Sequence, residues 1–481
     1  PKFIDLLLGQ KPIKEIYFDN RLKFSSDKLN RSQKTAVEHV LNNSITILQG
    51  PPGTGKTSTI EEIIIQVIER FHAFPILCVA ASNIAIDNIA EKIMENRPQI
   101  KILRILSKKK EQQYSDDHPL GEICLHNIVY KNLSPDMQVV ANKTRRGEMI
   151  SKSEDTKFYK EKNRVTNKVV SQSQIIFTTN IAAGGRELKV IKECPVVIMD
   201  EATQSSEAST LVPLSLPGIR NFVFVGDEKQ LSSFSNIPQL ETSLFERVLS
   251  NGTYKNPLML DTQYRMHPKI SEFPIKKIYN GELKDGVTDE QKAWPGVQHP
   301  LFFYQCDLGP ESRVRSTQRD IVGFTYENKH ECVEIVKIIQ ILMLDKKVPL
   351  EEIGVITPYS AQRDLLSDIL TKNVVINPKQ ISMQQEYDEI ELFNAAGSQG
   401  TAGSLQNNVI NIINGLHVAT VDSFQGHEKS FIIFSCVRNN TENKIGFLRD
   451  KRRLNVALTR AKHGLIVVGN KNVLRKGDPL W

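Results

Sequence analysis

The residues of this chain best suited to chemistry lie in one stretch, Gly50-Pro51-Pro52-Gly53-Thr54-Gly55-Lys56-Thr57, followed by Ser58. The spacing is that of a phosphate loop. Its glycines let the backbone turn amide groups toward an anion at the start of a helix, where unpaired N–H groups and the helix dipole favour phosphate. Lys56 then reaches the outer phosphates of a nucleotide and Thr57 a Mg²⁺ ion. Downstream, Asp200-Glu201 ends an apolar run, with Asp200 placed to hold Mg²⁺ and Glu201 to orient or deprotonate water. Such a pair is also an ordinary turn signal, and only the phosphate loop upstream gives it this chemistry. Gln230, in Gly226-Asp227-Glu228-Lys229-Gln230, is placed to sense the terminal phosphate. Together these residues describe Mg²⁺-assisted hydrolysis of ATP.

Such residues need a frame. Ile45 to Leu48, Phe74 to Ala80, Ile175 to Thr179, Pro195 to Met199 and Asn221 to Val225 are apolar, β-branched runs, and Ser58 to Arg70 carries apolar residues at helical spacing. This alternation predicts a parallel α/β sheet whose ligands gather at the carboxyl ends of its strands. Upstream, Asn30 and Gln33 have the spacing of a helix capping box; alternatively Gln33 hydrogen-bonds the edge of a base. From about residue 97 to 171 the alternation lapses into a charged stretch. It includes Lys108-Lys109-Lys110 and a basic series from Lys143 to Lys168, and reads as an inserted helical subdomain whose basic face is either solvated or bound to phosphates.

A chain of 481 residues exceeds what one core sustains. The division expected is 1–28, the tail of a preceding module; 29–260, a first α/β domain; and 261–481, a second, where alternation restarts with strands at Gly354–Thr357, Phe431–Cys436 and Gly464–Gly469. Asn373 to Gly415, with its small-residue run Asn394 to Ser404, reads as a flexible insertion. The net charge of +7 favours a polyanionic partner, and the chain holds no apolar run of membrane-spanning length. Six cysteines scattered singly suit a reduced compartment, cytoplasmic or nuclear, without a structural metal. Starting at Pro1 without a signal sequence, the chain reads as a fragment.

Six motifs in order carry a resemblance. Gly50 to Thr57, Asp200-Glu201-Ala202, Gly226 to Leu231, Gln263-Tyr264-Arg265-Met266-His267-Pro268, Val421 to Glu428 and Asn455 to Ala461 resemble those of superfamily 1 helicases. Within that superfamily the similarity is to the branch of the nonsense-mediated-decay up-frameshift helicase, senataxin, the immunoglobulin μ-binding helicase and a budding-yeast relative linked with translation termination. The resemblance implies two tandem RecA-like domains with ATP between them. A second domain without a phosphate loop would supply cations across the cleft, and the resemblance assigns Arg265 and Arg460 to the γ-phosphate, Tyr264 to adenine and Glu428 to the ribose. It also assigns strand contacts to Ser82, Asn83, Thr178, Thr179, Thr357, Pro358, Tyr359, Asp422, Ser423 and Gln425. These are small polar or loop residues suited to phosphate and sugar, so weak sequence preference is expected.

The implied activity is 5′-to-3′ movement of a monomeric motor on single-stranded RNA or DNA. Translation-termination factors or ribosomes would be its partners and mRNA surveillance its process. The alternative is an ATP-gated nucleic-acid clamp or remodelling switch with little unwinding. A metabolic phosphate-loop kinase explains neither Arg460 nor the loop Gln425-Gly426-x-Glu428. Ala81 departs from the proline that relatives carry there, and no Cys/His-rich regulatory domain is found.

Overall fold

Two seven-stranded sheets follow one another along the chain and carry the motifs on their loops. The computed structural model describes residues 8–9, 15–19, 21–233, 241–315, 324–389 and 407–481. The first sheet comprises β1 (Ile45–Gln49), β2 (Ile76–Ala80), β3 (Ile102–Arg104), β4 (Ile175–Thr179), β5 (Val196–Met199), β6 (Asn221–Gly226) and β7 (Leu258–Met259). Their order is β3-β4-β2-β5-β6-β1-β7, parallel throughout. Both faces are covered, which is why the runs are apolar without alternation. Ile47, Phe222 and Phe224 enter the core on one face, and Leu48, Val223 and Val225 the core on the other.

Register decides where the chemistry collects. Met199 pairs with Phe224 and Gln49 with Gly226, so β5, β6 and β1 end side by side. The residues that follow, Asp200, Asp227 and Gly50, therefore share one edge. Helix α1 (Arg31–Asn42) precedes β1, α2 (Lys56–Ile65) follows the phosphate loop, and α3 (Asn83–Asn96) follows β2.

The charged stretch is helical, with α4 (Leu125–Asn132), α5 (Pro135–Arg145) and α6 (Lys152–Gln172). It is not a separate body, because Leu125, Val129, Val140, Phe158 and Val165 join the core under the first sheet. It also contributes β3 to the sheet edge, a strand too short to show a pattern in sequence.

The second sheet comprises β8 (Leu301–Gln305), β9 (Ile353–Thr357), β10 (Gln384–Glu389), β11 (Asn407–Ile413), β12 (Leu416–Thr420), β13 (Lys429–Ser435) and β14 (Ala461–Gly469). Their order is β8-β14-β13-β9-β12-β11-β10; β8, β14, β13, β9 and β12 are parallel, and the pairings of β12 with β11 and of β11 with β10 are antiparallel. The expectation of a flexible insertion over 373–415 is therefore corrected in part. Val409, Ile410 and Ile413 are buried and draw β11 onto the sheet, β10 pairs with it, and the run Asn394 to Ser404 lies outside the described residues. Along the crossing between the sheets, Leu260 packs into a first-sheet core and Met266 into a second-sheet core. Among the described residues no helix is long and apolar enough to cross a membrane.

Candidate active site

The phosphate loop is shaped by two left-handed glycines, Gly53 at φ 74° and Gly55 at φ 79°, conformations that disfavour any side chain. At Gly53 a Cβ would stand 2.5 Å from the Cβ of Arg265. Only glycine lets the loop and the first motif of the second half meet this closely, and the Tyr264 N–H seals the contact by donating to the Gly53 carbonyl at 2.8 Å. Both halves of the expected capping box form: the Gln33 N–H donates to Asn30 Oδ1 at 2.9 Å and the Asn30 N–H to Gln33 Oε1 at 2.9 Å. Gln33 Nε2 also donates to the Thr54 carbonyl at 3.0 Å, so the capping side chain braces the phosphate loop. Gln33 is buried and does not line the cleft that the loop opens onto.

That cleft, about 470 Å³, lies between the two sheets, and the loop from Pro51 to Ser58, Asp200, Glu201, Gln230, Tyr264, Arg265, Glu428 and Arg460 all reach it. Lys56 Nζ stands 3.0 Å from Glu201 Oε1. Burial works against the charge of Lys56, but Glu201, Asp200 and Asp227 outweigh it and its pKa is raised. Burial and the neighbouring Glu201 charge push Asp200 up to about 7. Burial would raise Glu201 as well, yet Lys56, then Arg460 and Arg265, hold it below the ordinary carboxylate range. Glu201 occupies left-handed backbone at φ 46°, a strained setting for a side-chain-bearing residue and one that recurs at functional sites. Among the described residues Asp200 Oδ1 and Glu201 Oε2, both buried, have no hydrogen-bond partner. Two oxygens left unpaired in a cleft beside Thr57 are the donor set a hard cation and an attacking water require.

The opposite wall is cationic. Arg460 is buried at the end of helix α7 (Lys451–Leu458), with Nε donating to the Val456 carbonyl at 3.0 Å and Nη2 to Gln230 Oε1 at 3.0 Å. Burial, then the charge of Arg265, lowers its pKa to about 9, which leaves it charged at neutral pH. Arg265 Nη1 donates to the Thr459 carbonyl at 3.1 Å and pairs with Glu428 at 2.5 Å. Glu428 also meets Lys462 at 3.0 Å; burial opposes its charge, but Arg265 and Lys462 outweigh it and bring it down to about 2. The residue expected on the ribose is thus held here by two cations. Tyr264, expected on adenine, is half-exposed at the cleft and accepts at its hydroxyl from Asn30 Nδ2 at 2.8 Å.

Sequence reasoning missed a polar bridge across the seam. The Tyr279 hydroxyl donates to Asp227 Oδ2 at 2.6 Å and accepts from Asn455 Nδ2 at 2.9 Å, while Asn455 also donates to the Lys229 carbonyl at 2.9 Å. Burial raises Asp227 to about 6 despite the Tyr279 and Gln230 hydrogen bonds. Tyr279 stands in Ile278-Tyr279-Asn280-Gly281, which reads only as a helix end.

The ten residues assigned to a strand do not form one surface. Ser82, Asp422, Ser423 and Gln425 reach the phosphate-loop cleft itself. Thr178, Thr179, Thr357 and Tyr359 are buried at strand ends; Thr178 donates to the Ile105 carbonyl at 3.0 Å and Tyr359 accepts from Arg438 at 3.2 Å. Pro358 is half-buried beside Tyr359. Asp422 is held bidentately by Arg453 at 2.9 and 3.1 Å, whereas Asn83 has its oxygen on Arg104 at 2.7 Å and its Nδ2 unpartnered. Such threonine side chains leave only their loop backbones to meet a strand.

Comparison with known proteins bears on both halves. Family models described as AAA domains match residues 28–163 and 126–235 in the first half and 240–472 in the second. The chain is 36% identical over 471 residues to a "Regulator of nonsense transcripts 1 homolog" of Arabidopsis thaliana, covering 94% of this chain and 33% of the relative. It is 34% identical over 468 residues to the protein of the same name from Drosophila melanogaster, covering 94% and 35%. It is also 34% identical over 467 residues to "ATP-dependent helicase NAM7" of Saccharomyces cerevisiae, covering 94% and 43%. The chain thus spans between a third and somewhat under half of the length of these relatives.

Proposed function

The chain belongs to the up-frameshift branch of superfamily 1 helicases, and from that premise we propose that it is a nucleic-acid-stimulated ATPase moving 5′ to 3′ along single-stranded RNA. The observation that carries this reading is the cleft whose two walls come from different sheets, with Lys56 against Glu201 on one side and Arg460 reaching Gln230 from the other. Residues 29–260 and 261–481 act as the two closing lobes.

Lys56 and the loop amides hold the outer phosphates. Thr57 and Asp200 are the residues to hold Mg²⁺, which when bound neutralises phosphate charge. Glu201, kept ionised by Lys56, orients the attacking water through its unpaired oxygen and takes its proton. Arg265 and Arg460 stabilise the charge that develops on the transferred group, which makes turnover depend on closure. The names of its relatives point to surveillance of nonsense transcripts as the process and RNA as the track. Contacts to phosphate and sugar on a chain of net charge +7 make the grip electrostatic, so affinity falls steeply with salt.

The decisive measurement is the ATP hydrolysis rate with and without single-stranded RNA or DNA, with Glu201→Gln as blank. Stimulation that the variant lacks is expected, followed by unwinding of 5′-tailed and not 3′-tailed duplexes. A rate indifferent to nucleic acid would overturn the motor in favour of a protein-remodelling switch.

A further inference from the structure

A second cavity, about 510 Å³, lies on the seam between the two sheets, next to the first cleft and sharing Ile84 and Asn88 with it. Its size is that of a small-ligand site. One wall is the exposed face of α3 with Asn83, Asn88 and Glu91; a second is the turn region holding Gln113, Tyr114 and His118; the third comes from the other sheet, His427 and edge strand β10 at Gln385–Tyr387. Lys110 Nζ closes the seam by donating to the Tyr387 carbonyl at 3.3 Å. The cavity therefore exists only when the two halves are together.

Some of its polar groups are spent on one another, as where Lys110 Nζ donates to Gln113 Oε1 at 3.0 Å, and others are not. Asn83 is 5% exposed, and Arg104 Nη2 donating to its Oδ1 at 2.7 Å fixes the amide so that Nδ2 is the end left over. That Nδ2 has no partner among the described residues, and neither has His427 Nε2. Buried polar atoms without partners are rare, and two lining one cavity from opposite halves indicate a ligand with complementary groups. The acidic groups divide into used and available. Asp87 is engaged by Arg104 at 2.8 Å and by the Tyr114 hydroxyl, whereas Glu91 and Glu386 have no ion-pair partner among the described residues. Flat rings are present too, Tyr114 and His118 lying with centroids 4.1 Å apart.

A buried amide donor, carboxylate acceptors and ring faces are the chemistry that reads the edge of a splayed-out base. We propose that this cavity holds one nucleobase of the strand, and selects a base with an exocyclic amino group, such as cytosine or adenine, over uracil. Asn83 Nδ2 donates to a ring nitrogen or carbonyl of the base, and the Glu91 or Glu386 carboxylate accepts from its amino group. Uracil would instead turn a carbonyl oxygen toward those carboxylates. The inference rests on the strand-binding reading above and adds a base preference to a track expected to have little. Because both halves build the walls, a fitting base also favours closure, so stimulation of hydrolysis should follow the same order.

The test is binding of fluorescein-labelled single-stranded oligo(C), oligo(A) and oligo(U) RNA of equal length, by anisotropy at one salt concentration with a non-hydrolysable ATP analogue. Oligo(C) and oligo(A) are expected to bind about tenfold more tightly than oligo(U), the discrimination of one well-paired base edge. In Glu91→Gln/Glu386→Gln the difference should shrink to about twofold while hydrolysis without nucleic acid is unchanged. Equal binding of the three oligomers by the unaltered protein would overturn the base pocket and leave the motor standing. Binding of none would overturn both. A preference that survives in the double variant would also reject it.

Discussion

The two walls of the nucleotide cleft treat their cations in opposite ways. On the first wall, Lys56 is surrounded by Glu201, Asp200 and Asp227, which raise its pKa although it is buried. On the second, burial and the adjacent Arg265 lower Arg460 to about 9, and Glu428 is shared between Arg265 and Lys462. On the first wall the cation is paired without a ligand. The second carries a cation that burial and a like charge disfavour, and an anion reaching across the seam relieves it. Under the proposed function, the first domain binds the nucleotide and the second responds to it.

The widest gap between the walls should appear on truncation. Arg460→Ala should lower turnover by about 10³-fold or more, the scale of an arginine finger, while ATP affinity, measured in the Glu201→Gln background, changes less than about tenfold. Lys56→Ala should instead weaken binding itself. If both substitutions cost affinity equally, the division between a binding wall and a responding wall is wrong.

How far the sequence carried the reading also differs between the walls. The phosphate loop, Asp200 and Glu201 are legible because each lies within a few residues of a buried strand and local spacing determines its place. Arg265 and Arg460 came from the resemblance, since nothing local distinguishes them from solvated arginines. Tyr279 was not legible at all, because its role depends on Asp227 and Asn455, which are 52 and 176 residues away along the chain. Strands β10 and β11 were hidden for a different reason. The β-branched run Val409 to Ile413 is short and adjoins a small-residue stretch whose composition dominated the reading. The buried threonines show the limit of motif transfer, which names a loop without saying whether its side chains or its backbone are free to face a ligand.

A smaller effect separates the cleft from the core of the second domain by pH. Burial raises both Asp200 and Glu331 to about 7, although Glu331 accepts from Ser435 at 2.7 Å and from the Val437 N–H at 2.9 Å. Each folded pKa lies above the unfolded one, so the fold favours the protonated acid. The contribution to stability is complete below the unfolded value and is lost as pH climbs through 7. Between pH 6.5 and 8 each group should cost about 1 kcal/mol, read as a falling melting temperature without nucleotide. Asp200→Asn and Glu331→Gln should each remove one share. Mg²⁺ and ATP should remove the Asp200 share alone, since a cation at that carboxylate lowers its pKa. Persistence of both shares in saturating Mg²⁺ and ATP would place the ion elsewhere.

The smallest effect tests the hinge of the comparison, Tyr264. Its backbone N–H ties the second-domain motif to Gly53 and its hydroxyl accepts from Asn30, so part of its value is holding the seam and part is its ring. Tyr264→Phe removes only the hydroxyl contact; about 0.5–1 kcal/mol of stability should be lost, with ATP affinity within about twofold. Tyr264→Ala also removes the ring and should weaken ATP by roughly a further tenfold, with little change for GTP relative to ATP, because stacking does not read the base edge. If instead the phenylalanine variant loses as much affinity as the alanine variant, the hydroxyl tie to α1 matters more than stacking. The first wall would then position the nucleotide through Asn30 and Gln33, and the responding wall would begin at Arg265 rather than one residue earlier.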